Sequence, residues 1–310
     1  MRKFFLVNMK KVFLFLIIIS ILSISFYGCS KKVEKKSITL GAKAFTEGYI
    51  LGHLASILLS NDGFEVKENF GMQTFVIREA LLSKQIDAYF EYSGTAWSAF
   101  FKKDYLIRDA AKLFNEVKKE DEKNGISWID RIDFNDTYAL SIREEDKEKF
   151  GTNLSSLASY VNKNPGKVKF AIDHEFYERA DGFDALAKFY GMNYSKNDIV
   201  TMDIGLTYPA IVDKTKGIDV AMVFSTDGQL KKYNLFVLED DKNFFPIYNP
   251  GLSIRKEVLE KYPEIEKILE PLTKVLTTDD ITNLNYQVDV LGKDEREVAL
   301  EYLKSKGLIK

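Results

Sequence analysis

The sequence predicts an α/β protein built as two lobes, with a ligand cleft between them and a helical C-terminal tail. Three observations predict it. Strand and helix patterns alternate over 37–124 and again over 138–238. No Gly-, Ser- or Pro-rich linker separates the two series. From Arg255 onward apolar residues recur at helical spacing almost to the last residue. Alternation of this kind calls for parallel strands joined by crossover helices. Two such units without a flexible joint put a ligand between the lobes, outside the carboxyl ends of the strands.

Residues 37–41 read as a strand that stops at Gly41. Thr46 is expected to cap the helix that follows, with Glu47 in the first turn, where a carboxylate suits a helix N-terminus. Ile50, Leu51, Leu54, Ile57 and Leu58 form its apolar face. Strands at 65–70 and 86–90 flank a helix over 74–84, and a longer helix covers 108–124. The second series begins after Phe134, with strands at 138–142, 168–172, 199–203, 220–224 and 235–238. Helices at 154–161, 182–190 and 206–214 alternate with them, and helices at 256–262, 264–276, 279–288 and 294–306 make the tail. The expected lobes are 37–139 plus 245–310, and 140–244, with the chain crossing near Tyr138 and near Phe245.

Ahead of the lobes stand Met9-Lys10-Lys11, an apolar run, then Cys29 and Ser30-Lys31-Lys32. A basic head, an apolar segment and a small residue before the cut make a secretory signal. Cys29 is the only cysteine. Its place just after that segment marks a lipoprotein signal, and Phe26-Tyr27-Gly28-Cys29 resembles the bacterial lipobox. In this reading 1–28 is the signal peptide, Cys29 carries lipid and 29–36 is a linker. A membrane-spanning anchor and an ordinary cleaved signal are the alternatives, and Met9 is an alternative start to Met1.

Removing Arg2, Lys3, Lys10 and Lys11 with the signal leaves 40 basic against 46 acidic side chains, a formal net charge of −6. No basic patch favours nucleic acid. With Cys29 lipidated no disulfide forms within the chain, and no CxxC or Cys/His cluster offers a metal site. The acidic run 238–242 lacks the spaced oxygen ligands of an EF-hand. His53 and His174 stand in no GxSxG, HExxH or SxxK context, which argues against an enzyme. The unusual feature is aromatic content, 16 Tyr and 23 Phe, with several tyrosines in polar, turn-like settings.

Eight segments in order then carry a resemblance: GAKAFTEGYILG (41–52), EALLSKQIDAYFEYSGTA (79–96), DTYAL (136–140), EFYERADG (175–182), MDIGLTYPAI (202–211), FSTDGQL (224–230), LEDDKNFFPIYNP (238–250) and LNYQVDVLGK (284–293). The chain resembles the substrate-binding proteins of ABC importers for osmoprotectant quaternary amines such as glycine betaine, choline and carnitine. The resemblance implies a bilobal periplasmic-binding-protein fold of type II, no cofactor, and a protein held outside the cytoplasm by its lipid. It implies a monomer that hands cargo to separate permease and ATPase chains. It also implies an aromatic cage of Tyr92, Tyr138, Tyr248 and Phe224, with Tyr208 as a further wall. A quaternary ammonium has no N–H to donate, so ring faces hold it, each for about 0.5–2 kcal/mol when desolvated. Phe224 stands where the family motif has Tyr. Lys43, Thr95 and Arg179 match the groups that hold the cargo's carboxylate, a task suited to the arginine fork. Thr74 and Asp136 are possible cleft-lining residues, and Asp136 is also placed to accept a tyrosine hydroxyl or cap a turn. A ligand-binding sensory lipoprotein and a receptor for another small cation are the alternative functions.

Overall fold

A computed structural model describes residues 35–310; the signal segment, Cys29 and most of the linker lie outside the described residues. Residues 36–310 form one compact unit. In chain order its main elements begin with β1 (Ser37–Lys43), α1 (Thr46–Asn61), β2 (Glu65–Met72), α2 (Thr74–Leu82), β3 (Ala88–Tyr92), α3 (Ala110–Glu122) and β4 (Ile126–Arg131). The second series holds β5 (Tyr138–Arg143), α4 (Leu154–Lys163), β6 (Lys169–Asp173), α5 (His174–Glu178), α6 (Phe183–Tyr190), β7 (Ile199–Met202), α7 (Ile204–Val212), β8 (Ile218–Phe224) and β9 (Leu235–Val237). The chain ends with β10 (Pro250–Arg255), α8 (Lys256–Lys261), α9 (Glu264–Val275), α10 (Thr278–Asp289) and α11 (Glu295–Ser305).

Two five-stranded sheets result, ordered β2-β1-β3-β10-β4 and β7-β6-β8-β5-β9. The first three strands of each are parallel, as the alternation predicts. The fourth strand of each runs antiparallel, so the sheets are mixed rather than parallel throughout. The reason is the chain path. β5 is the first strand after the chain leaves the first sheet, and β10 the first after it returns. Each enters its new sheet from the side facing the other one, opposite in direction to the strands already there.

β4 and β10 are the strands that sequence reading misses. β10 opens on Asn249-Pro250-Gly251, a turn signal. It becomes a strand only by pairing with β3, 158 positions away at Pro250↔Tyr92, and with β4. Thr46 does not cap α1. The N-cap is Phe45, which makes no side-chain cap, and the Thr46 hydroxyl donates to Asp289 on α10 at 2.5 Å. α9, α10 and α11 pack on α1, so the tail belongs with the first sheet. The acidic run contains a structural residue: Asp240 accepts the Tyr190 hydroxyl at 2.5 Å and the backbone N–H groups of Phe244 and Phe245, shaping the return crossing. Among the described residues no helix is long and apolar enough to cross a membrane.

Candidate ligand-binding site

A cleft of about 470 Å³ opens where the strands of both sheets end. Lys43, Phe45 and Thr74 line it from the first sheet, and Tyr138, Glu175, Tyr208 and Phe224 from the second. Its size falls among small-molecule sites.

Strand register brings the first rings together. Tyr138 opens β5 and pairs with Phe224, the last residue of β8, so both side chains leave the same face at the cleft end. Their ring centroids lie 4.9 Å apart. Phe224 meets Phe45 at 5.5 Å, and Phe45 meets Tyr92 at 6.1 Å. On the other side Tyr138 stacks on Phe176 at 4.8 Å and meets Tyr248 edge-on at 5.6 Å. Gly94 lets Tyr248 in: a Cβ there would sit 2.7 Å from the tyrosine ring and 2.9 Å from the Ile247 carbonyl. The result is a continuous file, Tyr92–Phe45–Phe224–Tyr138–Tyr248, at spacings too close for a cation between neighbours. Phe45, Tyr138 and Phe224 present themselves to the cleft and Tyr208 lies buried at its wall, while Tyr92 and Tyr248 are buried behind the front row. Phe45 is absent from the sequence-based set. Its signal was a large ring one turn past the cleft-edge strand, beside Lys43.

The two expected carboxylate-binding cations occupy tyrosine faces themselves. The Lys43 ammonium lies 5.1 Å from the Tyr92 ring and is paired with Glu91 at 2.6 Å. Glu91 is fixed in turn by the Tyr89 hydroxyl at 2.9 Å and the Tyr92 N–H at 2.7 Å. The Arg179 guanidinium lies 5.4 Å from the Tyr138 ring and grips Asp181 through Nε at 2.9 Å and Nη2 at 2.7 Å. Its Nη1 donates to the Tyr138 hydroxyl at 3.3 Å. Arg179 and Thr95 are buried and do not line the cleft; Thr95 ends a short helical turn directly after β3. Thr74 does line it, and its N–H donates to Glu175 at 3.3 Å, joining the start of α2 to α5.

Tyr208 is fully buried, donates to the Asp227 carboxylate and accepts the Phe224 N–H at 3.2 Å. Burial pushes the Asp227 carboxyl up to about 8. Asp136 caps no turn through its carboxylate and takes no tyrosine hydroxyl. It lies 2.9 Å from the Thr226 hydroxyl, which also donates to Glu47 at 2.7 Å. Lys43 is the only basic side chain among the lining residues, against the acids Asp173, Glu175, Asp203 and Asp289, while Asp227, pushed up to about 8, is largely protonated near neutrality. This wall attracts cations. Among the described residues no group of three or more His, Cys, Asp or Glu side chains is arranged to hold a metal ion.

Two linked mixed sheets, a cleft at their strand ends and aromatic faces on its wall define a bilobal solute-binding protein. Over residues 36–305 the chain belongs to the family of substrate binding domains of the ABC-type glycine betaine transport system. It is 36% identical to the ergothioneine transport permease/ergothioneine binding protein EgtU of Helicobacter pylori (strain G27) across 96% of this chain, but spans about half (52%) of that relative's length. It is 34% identical to the glycine-betaine-binding protein of Pseudomonas aeruginosa, covering 89% of this chain and 90% of the relative. Its fold matches the crystal structure of a glycine betaine/carnitine/choline ABC transporter with a TM-score of 0.69 and 28% identity, over 87% of this chain and 99% of the other.

Proposed function

We propose that this protein captures a quaternary ammonium osmoprotectant, of the glycine betaine, choline or carnitine kind, against the ring file at its cleft, and delivers it to an ABC importer. The observation that carries the reading is the pairing of Phe45, Tyr138 and Phe224 faces with a cleft wall that carries Asp173, Glu175, Asp203 and Asp289 and one already paired lysine. Rings supply attraction to a cation that cannot hydrogen bond, and the acids raise its local concentration.

The ammonium binds by exchange. Lys43 and Arg179 lie over the Tyr92 and Tyr138 faces. When cargo enters, its methylated head takes over the cleft-facing ring faces, and the lobes rearrange so that Lys43, Arg179 and Thr95, the last two buried in this structure, reach its carboxylate. The lobes are 37–139 plus 245–310, and 140–244; the cargo touches both and so favours the closed form. The protein works outside the cytoplasm as a monomer, anchored through lipid on Cys29, and its partners are a permease and an ATPase. The lipid is checked by intact mass of membrane-extracted protein; an unmodified Cys29 would refute it.

The kinship to an ergothioneine binding protein at 36% identity favours a second cargo, ergothioneine, which adds a ring to a betaine. Calorimetric titration of residues 31–310 with glycine betaine, choline and ergothioneine decides. Saturable betaine binding supports cage and carboxylate site together. Choline alone keeps the cage and removes the carboxylate role of Lys43 and Arg179. Ergothioneine alone selects the second cargo, and binding of none of the three defeats the reading.

A further inference from the structure

Behind the ring file, one carboxylate joins four parts of the molecule. Glu47 on α1 accepts the Tyr92 hydroxyl on Oε1 at 2.7 Å. On Oε2 it accepts the Thr226 hydroxyl at 2.7 Å and the Asn285 amide at 3.2 Å. Thr226 follows β8 of the second sheet, while α1 and β3 belong with the first. Asn285 on α10 also donates to the Thr226 carbonyl at 3.1 Å. Asp136, in the crossing between β4 and β5, completes the set at 2.9 Å from the same Thr226 hydroxyl. Glu47, Thr226, Asp136 and Asn285 are all nearly or fully buried.

A threonine hydroxyl carries one hydrogen. Here it stands between two carboxyl groups, so one of the two contacts needs a hydrogen from a carboxyl. No free base relieves the crowding. The charged and titratable groups facing the pair are Tyr92, Tyr208, Tyr248, Lys43 and Asp227. Lys43 is held by Glu91, and Asp227, which takes the Tyr208 hydroxyl, adds a further acid. Asp289 lies one step beyond, facing Asp227 and held by Thr46.

We propose that Glu47 and Asp136 hold one proton between them across Thr226, and that this shared proton makes Glu47 the positioning residue coupling lobe closure to the aromatic file. With the proton in place, Glu47 holds the Tyr92 ring and the second lobe together. Without it, two anions face one hydroxyl at the lobe junction and the contact loosens. Burial first, then repulsion from Glu47 in the case of Asp136, raises both carboxyls above the ordinary range, the direction a shared proton requires. Two carboxylates sharing one site behave this way generally.

The sign follows. Carboxyls whose folded values lie above their unfolded ones stabilise the folded form fully at low pH, and that stability is lost as pH rises through the folded values. The melting temperature of ligand-free protein is therefore expected to fall as pH rises from about 5 to about 9. Asp136→Asn, which supplies a neutral donor to Thr226, is expected to make that fall shallower. Asp227 contributes to the slope in both proteins, so the difference between them isolates the pair. Equal slopes in wild type and Asp136→Asn would overturn the proposal. Glu47→Gln, which removes the other carboxyl of the pair, is expected to have a shallower fall too, and keeps the test open if Asp136→Asn does not fold. The functional arm rests on the osmoprotectant reading: wild-type Kd for glycine betaine or choline rises by up to about tenfold per pH unit while the proton leaves, and Asp136→Asn flattens that dependence. If neither ligand binds at any pH, the osmoprotectant reading fails, and the ligand-free melting slopes still decide the shared proton.

Discussion

Tyr138 does more than any other single residue at the cleft. It contacts four aromatic rings, Phe176, Phe224, Phe245 and Tyr248, takes a guanidinium on its face and lines the wall. Replacing it with Ala removes ring face and collapses its neighbours, so Tyr138→Ala is expected to raise Kd for betaine by at least about tenfold, corresponding to ~1.4 kcal/mol. Tyr92→Ala is expected to act similarly through the loss of its hydroxyl contact to Glu47. Phe45→Ala deletes one exposed ring face and should raise Kd by about 2- to 30-fold; titration calorimetry on the folded variant reads all three. Arg179→Ala separates two roles. A carboxylate partner predicts a larger loss for glycine betaine than for choline. Equal losses would mean that Arg179 acts only by supporting Tyr138.

At the scale of elements, close approaches decide which strands can meet. β3 and β10 pair beside the turn that holds Gly94, and the Tyr248 ring lies directly against that glycine. Gly94→Ala forces the ring or the Ile247 carbonyl to move, and overpacking of this kind costs about 1–3 kcal/mol. Chemical denaturation should register that loss, with a midpoint shift at constant slope. Gly228 is tighter still, since a Cβ there would approach the Tyr286 backbone to 2.4 Å. The loop after β8 can therefore rest on α10 only without a side chain at that position. This contact seats Thr226 beside Asn285 and Glu47.

On the scale of the whole molecule, the chain joins its two sheets at 132–137 and 238–249. The contacts that hold them closed include Thr74 to Glu175, Thr226 to Glu47 and Asn285, and the Phe45 ring against Phe224. A cargo touching both sides adds its binding energy to closure, about 2.7 kcal/mol at a ligand concentration 100 times Kd. Small-angle scattering should show a smaller radius of gyration with saturating betaine than without it. No change in radius alongside tight binding would mean that the ligand-free protein is already closed. Burial raises the carboxyls of this junction, Glu47, Asp136 and Asp227, so the folded form loses stability as pH rises through their folded values.

Periodicity made the parallel strands and their helices legible, because a core-facing helix or strand repeats its apolar residues locally. The resemblance of short motifs to those of the family made the tyrosines and Phe224 legible, where spacing alone leaves a tyrosine beside Gly or Pro as a packing residue. The sequence alone thus determined the α/β class, the two-lobed plan and most of the aromatic file. The tertiary structure decided the rest. It made strands of β4 and β10, whose pairing is non-local. It moved Thr46 from a cap to a partner of Asp289 and put Phe45 into the file. It also gathered Glu47, Asp136, Thr226 and Asn285 from positions up to 238 apart in the chain. The physical reason is that burial and hydrogen bonding depend on which distant segments meet in the fold, and spacing along the chain carries no record of that meeting.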